Sequence, residues 1–427
     1  MRKKYDNIII GSGIGGLICA NYLARVGKKT LIIEKNYFVG GCCSSFTSKG
    51  YFFDSGPHIL NGTLMSILKD LEVYEKKDFM KMEPLVEFFL KNKKYFIKSD
   101  FNDCRDYLKK KFPTDNIDGF FSLLEKNFVY WHSKLKDKVF THVLDEYFKT
   151  QELKAIFYAF IFCLGNLPEI TSAIFALQFI KTMLLFGGFY PKHGMQGLSN
   201  NLLHKFSENN GQVMLNDRAV KILIKNKTAY GILDSKGNKI FADNVISNIG
   251  QINTSKMLSS RGKSFKNVRI GRSNLTDSCL VVHIALKDHV SFFKKNASHM
   301  YIKSSVWEES ARLFLSKSNR YRPLGFVCTP ISVFGFKHSI NLITSIFHKP
   351  KAFWDKYKNI FADAMMDDLE KILPGFKSKV LFRKITTPYS IEYYTGNNNG
   401  ALGGWSLTPE HVVYNPFPYT CAVKNLY

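Results

Sequence analysis

The chain has 427 residues, 45% hydrophobic and 22% charged, a globular balance that excludes a disordered or fibrous class. The length exceeds what one compact core fills and predicts about two domains. Lysine and arginine number 60 against 35 acids, a formal charge of +25, and such a field favours acidic partners.

The basic residues are spread along the chain, with short runs at Lys91–Lys94 and Lys109–Lys111. No nucleic-acid-binding module accompanies them, so no nucleic-acid partner is expected. Two readings of the charge stay open: lysine usage set by an AT-rich coding sequence, or attraction to an anionic membrane surface. The eight cysteines, Cys19, Cys42, Cys43, Cys104, Cys163, Cys279, Cys328 and Cys421, form no CxxC pair and no zinc spacing. They read as reduced thiols of a cytoplasmic protein with no metal site. The basic start Met1–Lys4 and the apolar stretch to Ala20 imitate a signal peptide, but Gly11, Gly13, Gly15 and Gly16 would break its helix.

Asn7–Ile10 predicts a buried parallel strand. Gly11-Ser12-Gly13-Ile14-Gly15-Gly16 fits GxGxxG, Leu17–Val26 has helical spacing, and Gly27 ends the helix. Thr30–Ile33 predicts a second strand with Glu34 at its end. Gly11 permits the tight turn, Gly13 lets backbone approach a pyrophosphate, and Gly16 allows close helix–sheet packing. The helix N-terminus then offers N–H groups and a positive dipole end to phosphates. Glu34 follows Gly11 by 23 residues, where a carboxylate accepts hydrogen bonds from ribose hydroxyls. Strand, turn, helix, strand and acid together predict a dinucleotide site.

Gly40-Gly41-Cys42-Cys43-Ser44-Ser45 follows, then Gly50–His58 with its Gly56-Pro57-His58 ending. A second glycine pair so soon after the acid resembles the extended FAD fingerprint and not the usual NAD one. Cys42 and Cys43 suggest a redox pair or a flavin linkage on one reading. Adjacent cysteines bond poorly, and small residues are needed here for close approach. Lys35 is either at the adenine edge or solvated.

Residues 63–186 read as mainly helical. Ala155–Leu164 and Ala173–Phe186 are apolar runs separated by Gly165–Glu169, and both are too short to span a bilayer. They predict a buried helical pair or a lid dipping into one leaflet. Beyond them come a helix over Leu198–Asn209 and a strand over Gly211–Val220. Cys279–Leu286, Leu324–Cys328 and Ser339–Ile346 read as strands flooring a cavity, and Pro350–Leu373 as a helix.

The Val39–Phe46, Gly50–Leu60, Phe189–Gln196, Ala242–Gly250 and Thr387–Trp405 segments together resemble the phytoene desaturase, carotenoid isomerase and retinol saturase group of flavoproteins. The resemblance implies FAD as cofactor and an α/β fold, with a Rossmann-like FAD-binding domain interleaved with an α+β substrate domain of mixed sheet and helical lid. The expected segments are 1–62 (FAD domain, first part), 63–186 (helical substrate part), 187–255 (FAD domain, second part), 256–385 (sheet of the substrate domain) and 386–427 (return). It implies cofactor contacts from Gly11, Gly13, Ile14, Gly15, Gly16, Glu34, Lys35, Gly40, Gly41, Cys42, Ser45, Gly56, Pro57 and His58. Ala219 would touch the adenine through its backbone, and Asn248 would lie near the flavin. Tyr393, Tyr394 and Trp405 are candidates to line the cavity, with core packing as the plainer reading. Relatives continue into a further strand, a glycine-rich turn and a last helix. Here the chain reaches Asn425-Leu426-Tyr427, where that strand should begin, so the final FAD-binding segment is expected to be missing.

No catalytic side chain is singled out, because the flavin accepts the hydride and the protein positions the substrate. The implied activity is hydride transfer between flavin and an isoprenoid or carotenoid-like lipid (desaturase, saturase or isomerase), with peripheral contact on the inner membrane face. A flavin amine oxidase and a truncated non-catalytic relative are the alternatives.

Overall fold

The computed structural model describes residues 4–90, 92–162, 164–258, 275–288, 298–302, 325–331, 336–414 and 423–427. Lys91, Cys163, Leu324 and Cys421 of the sequence reading lie outside them.

The chain enters through strand β1 (Lys4–Ile10), helix α1 (Ile14–Arg25) and strand β2 (Thr30–Ile33). The strands pair in parallel, from Asn7 opposite Thr30 to Ile10 opposite Ile33. Ile9 and Ile32 belong to the core that contains α1, whereas Ile8, Ile10, Leu31 and Ile33 belong to the core on the other face. Burial on both faces explains why these runs are continuously apolar.

A tight hairpin follows, β3 (Ser45–Ser48) and β4 (Tyr51–Asp54), turning on Lys49 and Gly50 with φ of 51° and 79°. Short β5 (Leu60–Asn61) leads into α2 (Gly62–Asp70), where the Asn61 side chain accepts from the Thr63 N–H. The next segment departs from the helical expectation. It contains three strands, β6 (Phe79–Lys81), β7 (Val86–Leu90) and β8 (Lys93–Ile97). The aromatic and β-branched residues of β7 and β8 suit a pleated surface better than a helix.

Helices then dominate: α3 (Phe101–Lys111), α4 (Ile117–Glu125), α5 (Phe128–Leu135), α6 (Phe140–Tyr147), α7 (Gln151–Phe162) and α8 (Ala173–Phe186). Asp100, Asn116 and Asn127 cap α3, α4 and α5 by accepting from the N–H three residues on. Most of α7 and the inner face of α8 are buried in one large core, so the packed-pair reading describes them. Among the described residues no helix is long and apolar enough to cross a membrane.

The chain returns through β9 (Gly188–Pro191), α9 (Gly194–Glu208), β10 (Gln212–Met214), β11 (Ala219–Lys225), β12 (Thr228–Asp234), β13 (Lys239–Ser247) and α10 (Gln251–Leu258). The single strand expected over Gly211–Val220 is two strands. Between them Asn216 takes φ of 53°, and its N–H donates to the Asn36 carbonyl at 3.0 Å. The first sheet has the order β10-β2-β1-β13-β12-β11. Residues 424–427 run along the end of β13, the Val245 and Ser247 N–H groups donating to Asn425 and Tyr427 at 2.9 and 2.8 Å.

The second sheet adds β14 (Ser278–Leu286), β15 (Ser298–Ile302), β16 (Gly325–Ile331), β17 (Ser339–Ile346) and β18 (Val380–Thr386). Its order is β18-β14-β17-β16-β15-β7-β8, mixed because β7 pairs with β15 in parallel. Leu280, Val282, Ile284 and Leu342 pack under helix α11 (Lys351–Ile372) through Trp354, Phe361, Met365 and Leu369. Side chains alternate along a strand, so His283 and Asn341 project from the opposite face. That face meets β4, where the Tyr51 hydroxyl donates to the Leu286 carbonyl at 3.1 Å and Ser339 Oγ to the Phe52 carbonyl at 2.6 Å. Helix α12 (Pro388–Thr395) begins with a Thr387/Ser390 capping box.

Candidate functional site

Two glycine segments meet backbone to backbone at the carboxyl ends of β1 and β2. Gly11 turns the chain out of β1 with φ of 93°, and Gly13 caps α1 with no side-chain hydrogen bond. The first N–H groups of α1 are thus left without a side-chain cap. Gly40 bridges to Gly13, its N–H donating to the Ser12 carbonyl at 2.9 Å. A methyl at Gly41 would lie 3.1 Å from Gly13 Cα, and one at Gly16 would lie 2.4 Å from the Gly11 carbonyl oxygen. One at Gly56 would meet the Cys42 carbonyl oxygen at 2.3 Å. Side chains at these positions would fill the space that the two loops enclose.

Glu34 is 6% exposed at the end of β2. Its Oε2 accepts from Ser12 N–H and Oγ–H at 2.9 and 2.8 Å, and its Oε1 from Asn36 N–H at 2.9 Å. A carboxylate offers about four acceptor positions, so capacity remains for a ribose hydroxyl. Asp217 N–H donates to the Glu34 carbonyl at 3.0 Å, which brings the buried Ala219 close to the acid. Asn248 follows β13 and stands over the turn; its amide lies about 3 Å from where methyls at Gly13 and Gly15 would be. Ile14 opens α1 beside it. Lys35 turns elsewhere, its Nζ donating to the Tyr393 carbonyl at 2.8 Å in the last turn of α12. Tyr393 and Tyr394 are exposed, whereas Trp405 is half-buried beside His411.

The cysteine pair divides in two. Cys43 is buried, and burial first, then Cys42 and Asp54, pushes its thiol up to about 12. It is a protonated packing group at neutral pH. Cys42 reaches solvent, yet burial also raises its thiol. Exposure combined with dense surrounding protein describes a side chain inside a crevice.

Sequence reasoning missed the polar cluster below this crevice. Asp54 is fully buried. Its Oδ1 accepts from Ser45 Oγ at 2.7 Å and Met195 N–H at 3.2 Å, and its Oδ2 from the Tyr190 hydroxyl at 2.5 Å. Met195 lies in the first turn of α9, whose dipole favours a carboxylate there. Burial, then the charge of Asp54 and the hydrogen bond to it, pushes the Tyr190 hydroxyl well up, so it stays a donor. Asn341 Nδ2 donates to the Asp54 carbonyl at 3.0 Å and lies 3.4 Å from His58 Nε2. One signal was present: His283 is an isolated polar residue in the apolar run Cys279–Leu286.

The glycine cradle and the acid fit the ADP half of FAD. A family model described as flavin containing amine oxidoreductase matches residues 14–426. The chloroplastic prolycopene isomerase of Daucus carota is 25% identical over 100% of this chain and 76% of that protein. The all-trans-retinol 13,14-reductase of Danio rerio is 24% identical over 94% of this chain and 78% of that protein. Among solved structures, an oxidoreductase from Methanosarcina mazei superposes with a TM-score of 0.71 at 19% identity, covering 100% and 94% of the two chains. Putrescine oxidase bound to putrescine gives 0.68 at 14% identity, covering 100% and 93%. These structural likenesses carry the fold. With the family match over nearly the whole length and enzymes among the relatives, the chain belongs to the flavin-containing amine oxidoreductase family and is an FAD-dependent oxidoreductase.

Proposed function

We propose that the chain transfers hydride between FAD and an apolar, isoprenoid-like lipid, as a desaturase, saturase or isomerase. In this reading Gly11, Gly13, Ile14, Gly15, Gly16, Gly40 and Gly41 enclose the pyrophosphate, Glu34 holds the adenosine ribose, and the Ala219 backbone meets the adenine. Asn248, Cys42 and Ser45 line the path to the flavin, which Gly56, Pro57 and His58 approach. Lys35 has a lesser part, since it is tied to α12. When bound, FAD supplies the hydride acceptor or donor; the chain positions the substrate and excludes water. The observation carrying the cofactor assignment is the contact of two glycine loops beside a buried acid.

The lipid reading draws on the isomerase and retinol reductase relatives. An amine would instead call for a polar cavity. The test is to purify the protein, record its visible spectrum and identify the released cofactor. Poly-cis carotenes and all-trans-retinol are then incubated anaerobically with the reduced and the oxidised protein, and amines aerobically. FAD with a changed polyene supports the proposal. FAD with peroxide formed from amines alone overturns the lipid part, and failure to bind added FAD overturns the site.

A membrane surface is the second part of this reading. Phe128 and Val129 at the start of α5 are 59% and 74% exposed, and Leu185 and Phe186 at the end of α8 are 50% and 52% exposed. Lys181 Nζ donates to the Glu125 and Lys126 carbonyls at 3.3 and 3.0 Å, which ties α8 to the end of α4, just before α5 begins. Lys126 and Lys181 stand at this apolar edge, and Lys81 reaches Gly187 just beyond it. Aromatic and aliphatic side chains framed by lysines suit an anionic bilayer surface.

A further inference from the structure

The hydrogen-bond directions below the crevice follow from one backbone carbonyl. The Asp54 carbonyl oxygen can only accept, so the Asn341 atom 3.0 Å from it must be the amide nitrogen. The second hydrogen of that NH2 faces His58 Nε2 at 3.4 Å, so Nε2 must accept. The amide oxygen then faces His283 Nδ1 at 2.8 Å and requires a donor there. His283 Nε2 is left to accept from Thr386 Oγ1 at 2.9 Å. Asn341 and His283 are both fully buried. Burial drives His283 down to about 4, partly offset by its bond to Asn341, so it is neutral and carries one ring proton at neutral pH.

These constraints leave the ring proton of His58 on Nδ1. That nitrogen is buried and makes no hydrogen bond among the described residues; Asp54 Oδ2 is 3.6 Å away, beyond hydrogen-bonding distance. A buried N–H without an acceptor costs about as much as a lost hydrogen bond, and a group held this way is poised for an incoming acceptor. We propose that Asn341 is a positioning residue which, backed by His283 and Thr386, locks His58 in its Nδ1–H tautomer and keeps that N–H ready to donate to a carbonyl oxygen of bound flavin. The substrate-floor sheet would thereby set the hydrogen-bonding state of a loop on the cofactor side. The inference rests on the reading that places His58 beside the flavin.

The test uses full-length protein labelled with 15N-histidine, with His58 assigned by loss of its signals in His58→Gln. Two-bond imidazole spectra should show Nδ1 protonated and Nε2 unprotonated before FAD is added. On titration with FAD, the His58 Nδ1 resonance should move with the same midpoint as flavin fluorescence. Asn341→Leu should yield a tautomer mixture and weaken FAD binding about tenfold. A proton found on Nε2, or a tautomer unchanged in Asn341→Leu, overturns the lock. If Asn341→Leu does not fold, the wild-type tautomer alone decides. A resonance unmoved while fluorescence saturates overturns the donor role. Failure to bind FAD overturns the proposed function instead, and the tautomer measurement still decides the lock.

Discussion

At the scale of single residues, the crevice is defined by positions where no side chain fits. Gly56 is the sharpest, because its φ lies outside the positive range and steric contact is the whole argument. A methyl 2.3 Å from the Cys42 carbonyl oxygen forces the two segments apart. Such overpacking costs about 1–3 kcal/mol, so Gly56→Ala should weaken FAD binding about tenfold or more. Gly50→Ala is the control. Gly50 has φ of 79° and open space around it, so alanine there should lower stability by about 1 kcal/mol through strain while FAD affinity holds. Titration calorimetry with FAD on both variants separates the effects. Wild-type affinity in Gly56→Ala would remove the 42–56 contact from the cofactor site. The glycine spacing and Glu34 were legible in the sequence because each answers a local demand of turn, approach or helix packing. Asp54, Tyr190 and Asn341 were not, since the bonds that join Asp54 to Tyr190 and to Asn341 span 136 and 287 residues of chain.

At the scale of elements, periodicity identified α8, whose ends coincide with the apolar run, and the floor strands β14, β16 and β17 to within a few residues. It misread residues 79–97, because short apolar runs of strand and buried helix look alike without their partners; β7 is made a strand by β15, more than 200 residues later. Element ends also decide the surface. Lys181 Nζ lies 5.2 Å from the centre of the Trp131 ring of α5, and Leu185, one turn further along α8, shares the helix face of Lys181, so the exposed ends of α5 and α8 lie on one side. Transferring two large apolar side chains from water into lipid contributes about 3 kcal/mol or more. Leu185→Ser with Phe186→Ser should thus reduce partitioning onto vesicles about a hundredfold, and the same holds for Phe128→Ser with Val129→Ser. Sedimentation with anionic and zwitterionic vesicles, at low and high salt, reads this out. Binding that needs anionic lipid and fades with salt supports the patch. Absent binding, or a concentration-dependent dimer that the substitutions abolish, assigns the surface to a second copy of the chain.

At the scale of the whole molecule, the second sheet meets the β3–β4 hairpin through buried polar groups, and His283, packed against Phe46 and Phe53 of that hairpin, is one whose charge state reports on folding. It is fully buried between β14, β17 and β18, against Asn341 and Thr386. Burial is the main cause of its depression to about 4; nearby His58 and Lys384 act in the same direction, and Asn341 and Asp54 oppose them. In the unfolded chain a histidine titrates near 6.5. Above that value both states are neutral and this group adds no pH dependence. Between about 6.5 and 4 the unfolded chain binds a proton that the folded protein refuses, so stability falls as pH falls. The loss accumulates to about 3 kcal/mol by pH 4 and levels off below, where the folded state is protonated too. Carboxylates titrate in the same region, so the wild-type curve alone cannot isolate the effect. His283→Gln keeps a polar side chain and removes the titration. Urea midpoints measured for both proteins at intervals from pH 7.5 to pH 4 should converge at the acid end, the variant losing less stability on the way down. Parallel curves would mean that His283 takes up its proton without unfolding, and that the contact between the second sheet and the β3–β4 hairpin opens to water more readily than its buried hydrogen bonds imply.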